Sequence, residues 1–148
     1  MKVSAGRIFL GRFAAGEDLL ESLTALCRKE DVRLGIFSII GALRRVELGY
    51  YDQNKQEYVH SVSLPGKYEI TSCIGNVSLK DGAVFVHAHM TVADREGKAF
   101  GGHLMPGSKI FAAEYSIQEL TGAEFHRGLD PQTGLSLWEV PVVPDERT

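Results

Sequence analysis

Two histidines one residue apart, His87 and His89, with a third at His103, are the side chains in this sequence best suited to chemistry. On a strand, residues i and i+2 share a face with their Cα atoms about 7 Å apart, so His87 and His89 project side by side. Neutral imidazoles in that relation can reach one metal ion. A third on the same face makes a site for Zn²⁺, with a fourth position left to water or another ligand. Imidazole also suits Fe, Ni and Cu, so the spacing alone selects a divalent transition metal and not which one. The competing reading is a set of hydrogen-bonded histidines lining a pocket or an interface.

Whether His103 joins the pair depends on the turn at Asp94-Arg95-Glu96-Gly97. A type I turn with Gly97 in the left-handed position forms a bulge. Asp94 then pairs with Lys98, and His103 falls opposite His89. A plain two-residue turn at Arg95-Glu96 would instead pair His103 with Ala88 and face it away. Asp in first position and Gly in fourth favour the bulged form. Gly101-Gly102 could add another bulge and change the count.

Other candidates are weaker. Glu114, one carboxylate in the otherwise apolar run from Ile110 to Tyr115, is the candidate general base or partner to a ligand histidine; the other reading is that it faces solvent. His60 is expected to face solvent, and His126 with Glu124 reads as part of a surface hairpin. Arg44-Arg45 reads as a solvated strand end. Cys27 and Cys73 are the only cysteines and lack any CxxC or Cys/His metal spacing, so two buried free thiols are expected. No nucleophile elbow, P-loop or dinucleotide fingerprint occurs.

The elements that must position these residues can be read in order. Lys2 to Phe13 carries β-formers and reads as a first strand. From Glu17, apolar Leu19, Leu20, Leu23, Leu26 and Cys27 recur on one helical face, predicting a helix over about 17–30. Its acidic start and its Arg28-Lys29 end suit the helix dipole. Val32 to Ile40 reads as a strand that Gly41 bends or bulges. Arg44 to Tyr51, Glu57 to Leu64 and Tyr68 to Leu79 follow as strands, with Pro65-Gly66 as a break. Lys80-Asp81-Gly82 signals a hairpin into the histidine strand, Ala83 to Ala93. Lys98 to Leu104 and Ser108 to Glu119 follow. A last short hairpin is expected from Ala123 to Arg127 and from Leu135 to Val140, with 141–148 as an irregular tail.

One helix and about eight short strands predict an α+β fold: a curved, mainly antiparallel sheet with the helix packed on it. A chain of 148 residues with 44% hydrophobic and 24% charged residues suits one soluble domain, 1–148. The formal net charge of −3 argues against a general nucleic-acid binder. No run approaches the length of a membrane span, and Met1 to Phe13 lacks a signal-peptide core, so no membrane partner and a cytoplasmic location are expected.

Several fragments, in their order along the chain, resemble the plant and prokaryote conserved (PPC) domain, or DUF296 family of PD1-like proteins named for DNA binding. They are Gly6-Arg7 to Phe13, Ile39-Ile40-Gly41-Ala42-Leu43, Leu48-Gly49-Tyr50-Tyr51-Asp52, Tyr68 to Asn76, His87-Ala88-His89, Gly101-Gly102-His103-Leu104 and Asp130 to Gly134. The resemblance covers about residues 5 to 140. It implies an α+β domain assembling as a homotrimer, with a metal held by histidines matching His87, His89 and His103. Plant members similar to this domain are joined to AT-hooks, which bind the DNA minor groove; no Arg-Gly-Arg-Pro run occurs here. The expected function is a homotrimeric module that holds zinc and binds partners in DNA-associated regulation, meeting DNA or a DNA-binding protein. The alternative is a hydrolase-like metal-dependent enzyme using water on the three-histidine metal.

Overall fold

The computed structural model describes residues 1–140; the expected tail at 141–148 lies outside them. In chain order the elements are β1 (Ser4–Phe13), α1 (Leu19–Lys29), β2 (Gly35–Asp52), β3 (Glu57–Lys80), β4 (Ala83–Ala93), β5 (Ala99–Leu104), β6 (Lys109–Thr121), β7 (His126–Leu129) and β8 (Ser136–Trp138). All eight strands join one sheet in the order β1-β6-β2-β5-β4-β3-β7-β8, with β2 also paired to β3. Strands β2, β3, β4 and β5 therefore close on one another, which curves the sheet strongly. Every pairing is antiparallel except β3 with β7. The expected α+β class and helix-on-sheet arrangement are both present.

The helix starts where its cap can be made. Asp18 is the N-cap, and its Oδ1 accepts from the backbone N–H of Leu20 (3.1 Å) and Glu21 (3.2 Å). Its Oδ2 accepts from Gly107 N–H at 2.6 Å, tying the helix start to the loop before β6. The acidic pair predicted to sit in the first turn thus precedes it. Leu19, Leu23 and Cys27 are fully buried. Burying these three side chains stabilises the helix on the sheet by about 6 kcal/mol as an upper estimate.

The expected bend at Gly41 is present, whereas the expected break at Pro65-Gly66 is instead a bend within a paired strand. β2 runs through Gly41, and β3 runs through Pro65-Gly66. The β2–β3 ladder shifts register between Ile39 and Gly41 and again between Leu43 and Arg45. Both strands bend together there, so neither loses its partner. Gly41 has φ +143, and an added Cβ would lie 2.8 Å from Ala113 Cα, so glycine is required. One contiguous core runs from the helix through Val46, Leu48, Met90, Val92 and Ile110. The terminal hairpin is shorter than expected, and β7 runs parallel to the end of β3 with Leu79 opposite His126. No helix among the described residues is long and apolar enough to cross a membrane.

Candidate metal centre

The β4–β5 turn has the bulged form. Gly97 N–H donates to Asp94 O at 3.0 Å, Asp94 N–H donates to Lys98 O at 3.1 Å, and Gly97 has φ +82. Asp94 Oδ1 reinforces the turn by accepting from Glu96 N–H (3.0 Å) and Lys98 N–H (2.9 Å). His103 consequently lies opposite His89. The Gly101-Gly102 pair adds no further shift. Gly102 is needed for another reason: a Cβ there would come within 2.8 Å of Gly49 O on β2.

The three imidazoles converge. Ring centroids are 5.1 Å apart for His87–His89, 5.1 Å for His87–His103 and 5.5 Å for His89–His103. One ring nitrogen from each lies within 4.8 Å of the others. Around a tetrahedral zinc the ligand nitrogens stand about 3.4 Å apart, a closure that small side-chain rotations supply.

His87 Nε2 and His103 Nδ1 are buried without any hydrogen-bond partner. Leaving such an atom unsatisfied costs about 1–3 kcal/mol, so the pair calls for a ligand. Burial, reinforced by nearby Arg127 and His89, brings His87 down to about 4. Burial, with His87 and His89 adding to it, brings His103 down to about 4. Both rings are neutral at physiological pH, the form a metal needs. The residues present therefore fit a divalent ion.

Around them sit groups the sequence did not single out. Tyr58 packs on His103 with centroids 4.5 Å apart, and Tyr51 packs edge-on to Tyr58. A cavity of about 250 Å³ opens beside His87 and His103, lined also by Tyr51, Tyr58, Phe85 and Arg127. Arg127 was expected on a surface hairpin. Its side chain turns inward because β7 pairs with the end of β3, a contact between residues far apart in sequence. The one available signal was the alternation of polar Asn76 and Ser78 on β3, both of which bond Arg127.

Glu114 is not with the histidines. It is exposed on β6, paired to Ile40 and Arg12, and lines a separate depression with Ile40 and Glu69. Three strand spacings, about 14 Å across the sheet, separate β6 from β4. The expected base role has no geometric support, because strand order rather than sequence proximity decides which carboxylate faces a site. His60 is exposed 3.6 Å from Glu47, and His126 pairs with Glu124 at 3.2 Å on the surface. Cys27 and Cys73 are buried and free, and burial pushes their thiols up to about 11 and about 12.

A single helix on a strongly curved, self-closing sheet, with three histidines on one hairpin, defines a small α+β class. The model for the Plants and Prokaryotes Conserved (PCC) domain matches residues 1–121, and the chain belongs to that family. A plant- and prokaryote-conserved protein from Pyrococcus horikoshii is 42% identical, with a TM-score of 0.89 over 96% of this chain and 97% of that one. A metal-containing protein from Archaeoglobus fulgidus is 38% identical, with a TM-score of 0.87 over 93% of this chain and 96% of that one. A Bacteroides thetaiotaomicron protein whose name provisionally assigns it DNA binding is 21% identical, with a TM-score of 0.82 over 93% and 96% of the two chains. That likeness concerns the fold alone. Among curated proteins, the bifunctional protein GlmU of a Synechococcus strain is 34% identical over 142 residues, or 94% of this chain. The chain spans about a fifth of that relative's length, 21%.

Proposed function

We propose that this chain is a homotrimeric module that holds a divalent transition metal, zinc, through His87, His89 and His103, and that it works by binding partners in DNA-associated regulation. The observation that carries the metal reading is the pair of buried, partnerless ring nitrogens on His87 and His103. The Archaeoglobus relative, metal-containing by name, supports it. Zinc held this way supplies Lewis-acid chemistry. With Glu114 remote and no carboxylate beside the rings among the described residues lining the adjoining cavity except exposed Glu57, a binding role is favoured over a hydrolytic one.

A trimer is supported by the family and by apolar side chains left on the outer sheet surface. Ile8, Leu10, Ile36, Ile40, Ile74 and Phe111 are all exposed. Single exposed apolar residues are ordinary, whereas this many on one sheet suits an interface. Elemental analysis of protein never exposed to chelator tests the metal. One ion per chain is expected in the wild type and none in His87→Ala or His103→Ala. Protein without metal at any stoichiometry would refute the reading.

A further inference from the structure

Arg127 is a half-buried cation held by neutral groups only. Its Nε donates to Ser78 Oγ, its Nη1 to Ser136 O and its Nη2 to Asn76 Oδ1, each at 2.8 Å. Its head packs against the Phe85 and Trp138 rings, 5.2 and 5.7 Å from their centroids. Among the described residues no carboxylate bonds to it. Burying a guanidinium without a counter-charge is costly, and desolvation draws Arg127 below its ordinary value. Three of its five N–H groups are committed, which leaves two. Lys80, whose ammonium lies 5.6 Å from the Phe85 centroid, lines the same cavity as Arg127, His87 and His103.

The three neutral bonds fix the fork in place before any ligand arrives. That preorganisation lowers the cost of binding a planar anion. Tyr51, Tyr58, Leu135 and Leu137 supply apolar and aromatic wall, with uncharged Gln56 and Ser136 beside them. At about 250 Å³, the cavity lies below the range for drug-sized ligands. Among the described residues the only acid on its lining is Glu57, which is exposed.

We infer that this cavity binds a small organic carboxylate, gripped by Arg127 with Lys80 in support, its apolar body against Tyr51, Leu135 and Leu137 and its charged end toward the histidines. The inference builds on the metal-centre reading for what lies at the cavity floor, but the grip on the anion belongs to Arg127 and does not require the ion.

Trp138, the chain's single tryptophan, touches Arg127 and reports occupancy by fluorescence. Benzoate and neutral benzamide are titrated into metal-free and zinc-loaded protein. Saturable benzoate binding in metal-free protein, at least tenfold tighter than benzamide, is expected. Arg127→Gln should weaken benzoate at least tenfold, and Lys80→Met, which leaves the β7 hydrogen bonds intact, about threefold. Arg127-dependent binding in metal-free protein establishes the cavity as a carboxylate site whether or not zinc loads, so the two readings fail separately. No saturable benzoate binding in either form, equal affinity for benzamide, or binding undiminished by both substitutions would overturn the inference.

Discussion

Gly75 on β3 is where the fold most directly sets the position of a histidine. It lies opposite Ala88, between the two histidines of β4. A Cβ added there would overlap the His87 carbonyl oxygen, and would come 2.6 Å from Phe37 Cζ and 2.9 Å from Ala88 Cα. Two of the three obstacles are backbone, so Gly75→Ala must push β4 away from β3. The separation needed is of the order of 1 Å, enough to weaken two ladder hydrogen bonds at about 1 kcal/mol each. Overpacking against Phe37 adds about 1–2 kcal/mol. The total is about 3 kcal/mol, which for a chain of this size lowers Tm by roughly 6–12 °C. The same displacement moves His87 beyond the tolerance of about 0.2 Å on metal–ligand distances, so zinc affinity should fall as well. Gly101→Ala is the control, because its nearest obstacle is the Thr91 hydroxyl at 3.3 Å. Thermal unfolding with and without zinc reads both effects. A Gly75→Ala protein melting within 2 °C of wild type and retaining stoichiometric zinc would refute the reasoning.

Three further outcomes are expected. Asp18→Ala removes the helix cap and strands the Gly107 N–H, costing about 3 kcal/mol in urea unfolding, whereas Asp18→Asn costs about half as much. In metal-free protein, His87 and His103 lie near 4 against an ordinary 6.5, so the unfolded chain takes up more protons between those values. Their stabilisation is full above about pH 6.5 and is lost as pH falls toward 4, by less than roughly 7 kcal/mol together because solvent screens both part-exposed rings. A His87→Gln/His103→Gln protein should show a flatter urea-midpoint profile over that window, and an unchanged slope would count against the burial argument. Ile40→Glu places a charge on the outer sheet surface and should convert a trimer to the 16.3 kDa monomer in light scattering; a species of wild-type mass would exclude that surface as the interface.

What could be read from residues alone follows the range of the forces involved. The convergence of His87, His89 and His103 was legible because it depends on one four-residue turn, in which Asp94 accepts backbone N–H groups and Gly97 takes a positive φ. The helix was legible within two residues because its apolar stripe is local. The bend at Gly41 was expected, but Pro65-Gly66 was harder to interpret. A break and a bend have the same local signature, and only the partner strand decides between them. The inward turn of Arg127 and the distance of Glu114 from the histidines were not legible for one shared reason. β7 joins the sheet beside β3 and β6 joins beside β2, and neither neighbour is adjacent in sequence. Strand order sends one charged side chain into the cavity and keeps the other out.

The distribution of charge also bears on DNA. Neutral imidazoles would leave the charge of a divalent ion uncompensated, and Arg127 and Lys80 add to it, so the cavity is a local positive feature. Elsewhere several arginines are neutralised. Arg7 is bound to Glu119, Arg33 to Glu124 and Arg45 to Glu47, each at 2.7 Å. A duplex needs a row of free cations matched to its phosphates, and a cavity of about 250 Å³ cannot admit one. With a net charge of −3 the chain as a whole repels a polyanion at low salt. DNA is therefore expected to be reached through a DNA-binding partner. In a retardation assay at about 50 mM salt, purified protein should leave duplex DNA unshifted. A shift whose affinity falls with salt at a log–log slope of about −4 or steeper would mean that several phosphates are neutralised directly, and would move the contact onto this chain.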